Sequence, residues 1–223
     1  MQLNSDKDRQ LAVTIVGSLQ AERVNRYKAA ADANGVMPID LYLWNCNISC
    51  AFYDSIHFAE ICCRNTIHSA LVFRNKDNNW YEDETFRKLL DLRFLRELET
   101  AIDNEKNQHG QNITCHHVVS ALTFGFWEHL TTRRFKRYLW PRGFQRNFKN
   151  APFDATLHDL NKLIQSVRRW RNRIAHHRAI FDKNPNRKHS DSIMLISWSS
   201  SDVSEWVAKQ SNVSKTINQR PRP

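Results

Sequence analysis

Residues 167–177 read VRRWRNRIAHH, a stretch with four arginines, two histidines and neither glycine nor proline. Apolar residues recur at three- and four-residue steps through it and upstream of it: Leu157, Leu160, Ile164, Val167 and, after one position occupied by Arg171, Ile174. This period predicts an amphipathic helix over residues 155–177 that buries one stripe of side chains. The stretch therefore combines a buried seam with a concentrated positive charge.

Three polar side chains on this predicted helix belong together. Asn172 and His176 are four residues apart, which places them about 40° apart around an ideal helix. Arg171 lies about 140° from His176, but its long side chain reaches back around the helix. The pattern predicts a guanidinium, an amide and an imidazole close to one another. The alternative is a solvated helix face whose histidine complements the helix dipole.

Composition is that of a globular protein of ordinary size. Of the 223 residues, 41% are hydrophobic and 25% are charged, so one substantial core suffices. We expect a single domain over residues 1–223, with residues 1–17 as an arm or short helix and residues 219–223 as a flexible tail. No long apolar run is present, and the charged start MQLNSDKDRQ does not resemble a signal segment. These features predict a cytoplasmic protein without a membrane partner.

The positive charge is concentrated in one part of the chain. The net charge is +10, but residues 131–191 alone carry +12. Residues 131–150 (TTRRFKRYLWPRGFQRNFKN) interleave basic and aromatic side chains, a composition typical of surfaces that bind nucleic acid. A charge-rich amphipathic helix has the same composition. The candidate phosphate-binding residues are Arg133, Arg134, Lys136, Arg137, Arg168, Arg169, Arg173 and Arg178.

Glycine and proline divide the chain into segments of helical length, and alternating apolar patterns are scarce, so the predicted fold class is all-α. The predicted helices cover residues 6–16, 18–33 (with Ser18 as N-cap), 39–73, 85–107, 113–130, 155–177, 192–199 and a last helix from Asp202. Residues 75–82 and 182–190 are predicted loops. Trp80 and Tyr81 are expected to fold back onto the core, and Ile180-Phe181 to anchor the chain after the second histidine.

The predicted helix over residues 39–73 carries a polar stripe beside its apolar one. His57, Glu60, Arg64 and His68 are three or four residues apart on it. The segment Arg64-Asn65-Thr66-Ile67-His68 is a shortened version of the later motif. Its plain interpretation is an ion pair between Glu60 and Arg64 with a structural His68. The alternative is a supporting role, in which these residues orient the later motif or bind phosphate.

Residues 122–127 (LTFGFW) form an aromatic cluster with two interpretations. Aromatic side chains stack on unpaired bases in many RNA-binding proteins. At this density they more often form core, and Gly125 indicates close helix packing. The core interpretation is favoured.

Several of these motifs together resemble a known family. Arg171, Asn172 and His176 fit the Arg-x(4–6)-His signature of the HEPN superfamily. The longer string RNRIAHH at 171–177 resembles the Abi-like (abortive infection) family within it. Other matching stretches are Trp44-Asn45, Arg64-Asn65-x-x-His68, residues 124–127 and Arg220-Pro221. One departure is Arg178-Ala179 after the double histidine, where the family pattern usually has Glu-Pro.

The resemblance implies a HEPN-like helical bundle with a long central helix and additional flanking helices. It implies a metal-independent endoribonuclease, acting in phage defence or as a toxin, that needs no cofactor. The implied catalytic residues are Arg171, Asn172 and His176, and the implied supporting residues are Glu60, Arg64, Asn65, His68 and His177. RNA is the implied substrate and possible antidote, and a homodimer is expected, with Trp170 and Phe181 as interface candidates. The alternatives are a non-catalytic RNA-binding module and a dimerisation scaffold.

Overall fold

The computed structural model describes residues 6–19 and 21–223, and within these ranges every regular element is helical. The α-helices are α1 Asp6–Ser18, α2 Ala21–Asp32, α3 Pro38–Ala51, α4 Tyr53–Asn75, α5 Glu84–Leu89, α6 Leu92–His109, α7 Cys115–Ala121, α8 Phe124–His129, α9 Leu157–Ala175, α10 Pro185–Ser199, α11 Ser201–Gln210 and α12 Val213–Asn218. The predicted all-α fold class is therefore confirmed. None of the helices in the described ranges combines the length and the hydropathy of a membrane-spanning segment.

The chain forms two compact units. The first unit comprises Met1–Tyr53, Arg173–His189 and Ser211–Pro223, and the second comprises Asp54–Asn172 and Ser190–Gln210. The division falls just after the first residue of α4 and just before the last three residues of α9. The prediction that residues 1–223 form a single domain stays a prediction.

The single helix predicted over residues 39–73 is wrong, because α3 and α4 are separate helices on either side of Phe52. The Phe52 N–H still bonds to the Ile48 carbonyl at 3.2 Å, and the Phe52 side chain is fully buried. An apolar residue at the break leaves the apolar period uninterrupted, so the pattern extends through a position where the helix ends.

Other predicted boundaries also change. The helices predicted over residues 85–107 and 113–130 are each two helices, broken before Leu92 and before Phe124. Thr123 makes the second break, because its hydroxyl caps α8 by accepting from the Phe126 N–H at 3.3 Å. The predicted loop over residues 182–190 is too long, since α10 begins at Pro185. Ser18 is no N-cap of α2: it ends α1, and its hydroxyl donates to the Thr14 carbonyl at 3.0 Å.

The core of the second unit contains the apolar stripes of α4 and α9. Its buried residues include Ala59, Cys63, Ile67, Leu160, Ile164 and Val167. The same core contains the aromatic cluster, in which Phe124, Phe126 and Trp127 are at most 2% exposed. The core interpretation of residues 122–127 is confirmed, and a base-stacking role for these rings is excluded by their burial. Trp80 and Tyr81 fold back onto this core as predicted.

The first unit holds the Ile180-Phe181 anchor. The Ile180 N–H donates to Asn45 Oδ1 at 2.7 Å, and the Phe181 ring packs against Tyr27 with centroids 5.1 Å apart. The guanidinium of Arg220, in the predicted tail, donates to the Phe181 carbonyl at 3.2 Å and lies over the Trp44 ring. Asn45, Phe181 and Arg220 thus hold together three distant parts of the chain within this unit.

Candidate functional site

Helix α9 ends inside the Arg-Asn-x-x-x-His motif. Its last residue is Ala175, and His176 and His177 form the turn that follows. The His177 N–H bonds to the Ile174 carbonyl at 2.9 Å, and the Arg178 N–H bonds to the Arg173 carbonyl at 2.9 Å. This is the Schellman arrangement that closes a helix, with His177 in the left-handed conformation at φ 52°.

The Schellman turn changes the roles of both histidines. His176 is the C-cap residue, one position after the last residue of α9, so the expectation that Asn172 and His176 share a helix face stays a prediction. His177 occupies the position where glycine is usual, at a backbone cost of about 1–2 kcal/mol. Its carbonyl accepts from the Arg23 guanidinium at 3.1 Å. His177 therefore ends helix α9. His176 is the C-cap residue of that helix and is exposed to solvent.

Arg171 contacts the polar stripe of α4 within the second unit. Its Nε lies 3.2 Å from Glu60 Oε2, and its Nη1 donates to Asn172 Oδ1 at 3.2 Å. The predicted ion pair between Glu60 and Arg64 is wrong: among the described residues, the Glu60 carboxylate pairs with Arg171. The Arg171 side chain is still 43% exposed, so a phosphate can reach it. Glu60 therefore joins the early stripe to the later motif.

In the rest of the early motif, His68 has a structural partner, whereas in the part of the chain that the structure describes the Nε of Arg64 has none. The Trp80 indole N–H donates to His68 Nδ1 at 3.0 Å, so the neutral ring carries its proton on Nε2. Burial lowers the pKa of the His68 imidazole, and neighbouring His116 and Arg64 lower it further. Asn65 is exposed. Within the described part of the chain, Arg64 Nε is buried without a hydrogen-bond partner.

The basic segment 131–150 separates its two kinds of side chain. Its rings are buried, namely those of Phe135, Tyr138, Trp140, Phe144 and Phe148. Arg133, Arg134, Lys136 and Arg137 are exposed. This burial pattern shows that the interleaved composition packs aromatics inward and leaves the cations at the surface.

Not all the candidate phosphate-binding residues are equally available. Arg134 pairs with Asp91, and Arg168 pairs with Glu128. Arg173 Nε donates to the Ala179 carbonyl at 2.8 Å. Arg169 and Arg178 are exposed. An arginine held by a carboxylate offers less net charge to a phosphate, so the better candidates for attracting RNA are Arg133, Lys136, Arg137, Arg169 and Arg178. Arg171 is also held by a carboxylate, that of Glu60, and therefore offers a fixed orientation rather than net charge.

Sequence reasoning missed Glu128, which organises this part of the second unit. Its carboxylate accepts from Arg168 and from the Gln165 amide, the latter at 3.4 Å, and its carbonyl accepts from Asn161 at 3.2 Å. The partners are more than thirty residues away in the chain, so no local period reveals them. The signal that was available is an acid placed directly before a basic segment.

A second missed group lies at α6 and α7. Glu105, His109 and His117 hold ligand atoms within 4.8 Å of one another, a donor set suited to a divalent metal. The His117 Nδ1, however, accepts the Thr114 backbone N–H at 3.2 Å as part of the α7 cap. With that bond made, the neutral ring carries its proton on Nε2 and has no free lone pair for a metal. Metal binding through His117 would therefore require the cap to open.

Comparison with known proteins relates the chain to a family. A model of the family described as Abi-like protein matches residues 17–182. The matched range contains the polar stripe of α4, the basic segment 131–150 and the whole motif on and after α9. No curated protein and no solved structure matches the chain.

Proposed function

The chain belongs to the Abi-like family, and we propose that it is a metal-independent endoribonuclease of HEPN type. The family's description points to abortive infection, so the proposed role is phage defence, or action as a toxin, in the cytoplasm. The single observation that carries the proposal is the contact of Arg171 with Glu60 and Asn172. It holds an accessible guanidinium in a defined orientation on the helix that leads directly to His176.

Arg171 is suited to stabilising a phosphorane. Its Nε lies 3.2 Å from the Glu60 carboxylate and one Nη1 hydrogen is donated to Asn172, which leaves the other guanidinium N–H groups for phosphate oxygens. A guanidinium that is already oriented needs little reorganisation when charge develops on those oxygens. Glu60 and Asn172 are positioning residues in this proposal.

His176 is proposed as the general acid–base. Histidine is the side chain that enzymes use most often to transfer a proton in such a step, and the His176 side chain is exposed. In the proposed step the ribose 2′-hydroxyl loses its proton to a base, the 2′-oxygen attacks the adjacent phosphorus, and the 5′-oxygen leaves with a proton from an acid. His176 is proposed as that base or that acid. The products are a 2′,3′-cyclic phosphate and a 5′-hydroxyl. RNA supplies the nucleophile itself, so the step does not need a metal-bound hydroxide.

Incubation of purified protein with total RNA in excess EDTA tests this proposal. We expect the wild-type protein to cleave RNA and His176→Ala to be at least about 10²-fold slower. Cleavage that disappears with the chelator, or that survives the substitution, contradicts the mechanism. RNA binding without cleavage by either protein supports the alternative, a non-catalytic RNA-binding module.

We further propose a two-fold homodimer that places two copies of residues 168–177 near each other, because one arginine and one histidine make a small site. Trp170 and Phe181 are not available as interface residues, since each is 3% exposed within its own chain. The +12 segment of each copy opposes association, so added salt should strengthen the RNA-free dimer. Sedimentation of nuclease-treated protein across a salt series measures this. A monomer at every salt concentration with full cleavage activity rules out a composite site.

A further inference from the structure

The second unit contains a cavity of about 210 Å³ between the end of α4 and residues 139–147. The residues that define its chemistry are Phe73, Arg74, Pro141, Arg142 and Arg146. Three of them are arginines, and among the described residues none that lines it is acidic. The proposed mechanism uses none of them. We name this cavity the Phe73 pocket.

Phe73 gives the pocket an accessible aromatic face. Its side chain is 64% exposed, although it lies on a helix whose opposite face is core. The Arg146 guanidinium lies over its ring, 4.4 Å from the centroid. Exposed rings paired with arginine are surfaces on which nucleobases stack, because both the ring and the guanidinium present flat faces.

The remaining arginines supply charge at the same pocket. Arg74 is held in place: its Nε donates to the Tyr138 carbonyl at 3.2 Å, and its guanidinium lies 5.0 Å from the Tyr138 ring centroid. Arg142 is exposed. Without a carboxylate in the lining, this charge is left for an anion. A cation would be repelled by the three guanidinium groups, so the charge of the pocket favours an anion.

We propose that the Phe73 pocket binds one unpaired nucleotide, with its base stacked on Phe73 and its phosphate held by Arg74 and Arg142. The volume is below the roughly 300–1,000 Å³ typical of drug-sized ligands, which fits one base. The nucleotide comes either from a single-stranded segment of RNA or from a free nucleotide. Its assignment to RNA rests on the proposed ribonuclease function, whereas nucleotide binding itself does not.

Binding is best measured with His176→Ala protein in EDTA, so that cleavage does not consume the probe. The probes are a fluorescent single-stranded oligoribonucleotide and unlabelled AMP and CMP as competitors. Phe73→Ala should weaken oligoribonucleotide binding about 5- to 100-fold, the range for loss of one base–aromatic stack. Phe73→Trp should retain binding. Phe153→Ala is the matched control, because Phe153 is fully exposed and lies outside the pocket.

The outcomes separate this inference from the proposed function. Competition by AMP or CMP that depends on Phe73 identifies free nucleotides as ligands, and binding of the strand alone identifies RNA. If Phe73→Ala binds both probes like the control, with an unchanged melting temperature, the pocket assignment is overturned. If Phe73 matters for binding but the wild-type protein cleaves no RNA, the pocket stands and the ribonuclease proposal fails.

Discussion

Replacing Arg171 with alanine is expected to lower the single-turnover rate of RNA cleavage by about 10²- to 10³-fold, the usual effect of removing one transition-state donor. The structure adds a specific reason, since Arg171 is oriented by Glu60 and Asn172 and yet remains 43% exposed. Removing it also leaves Glu60 without its partner. The measurement is the cleavage rate of a labelled RNA at saturating protein concentration.

Two further variants show whether the effect belongs to Arg171 itself. Arg96→Ala removes an exposed arginine from α6 and should leave the rate unchanged. Glu60→Gln keeps a hydrogen-bond acceptor but removes its charge, so its effect should be smaller than that of Arg171→Ala. Equal rates for Arg171→Ala and Arg96→Ala would remove Arg171 from the mechanism.

Phe126→Ala is expected to lower the free energy of unfolding by about 3–5 kcal/mol, the range for emptying a buried aromatic site. Phe126 is 0% exposed. Its ring lies within 6.5 Å, centroid to centroid, of those of Trp80, Phe86, Phe94 and Trp127. Denaturant unfolding followed by circular dichroism measures the change.

Phe153→Ala is the matched control for Phe126→Ala. Phe153 is 100% exposed, so losing its ring should change the free energy of unfolding by no more than about 0.5 kcal/mol. A Phe126→Ala protein as stable as the Phe153→Ala control would contradict the assignment of the Phe126 ring to the core.

The sequence predicted the fold class and the buried faces of its helices better than the helix ends. The apolar stripe predicted for α9 faces the core in the structure, because side chains that recur every 3.6 residues lie on one face of a helix. The α3–α4 break at Phe52 had no such signal, since a buried phenylalanine continues the pattern. The role of His177 could not be predicted from the sequence either. A residue that ends a helix in the left-handed conformation is usually glycine, and here it is a histidine.

The candidate site was predicted as a set of residues but not as a set of contacts. Glu60 and Arg171 are more than a hundred residues apart, so only the fold shows that they pair. The predicted Glu60–Arg64 pair used the nearest partner on the same helix, and a tertiary partner displaced it. His68 also has a partner from outside its own helix, the Trp80 indole. Residue type indicated polar chemistry, and packing decided which partner each group has.

The chemical ends of the cleaved RNA test the central claim most directly, namely that RNA supplies its own nucleophile and that cleavage depends on Arg171 and His176. The measurement is end-group analysis of products formed by wild-type protein in excess EDTA, with His176→Ala alongside. The account predicts 2′,3′-cyclic phosphate and 5′-hydroxyl ends that are absent with His176→Ala. Products with 5′-phosphate and 3′-hydroxyl ends would contradict it, because they require water to attack the phosphorus.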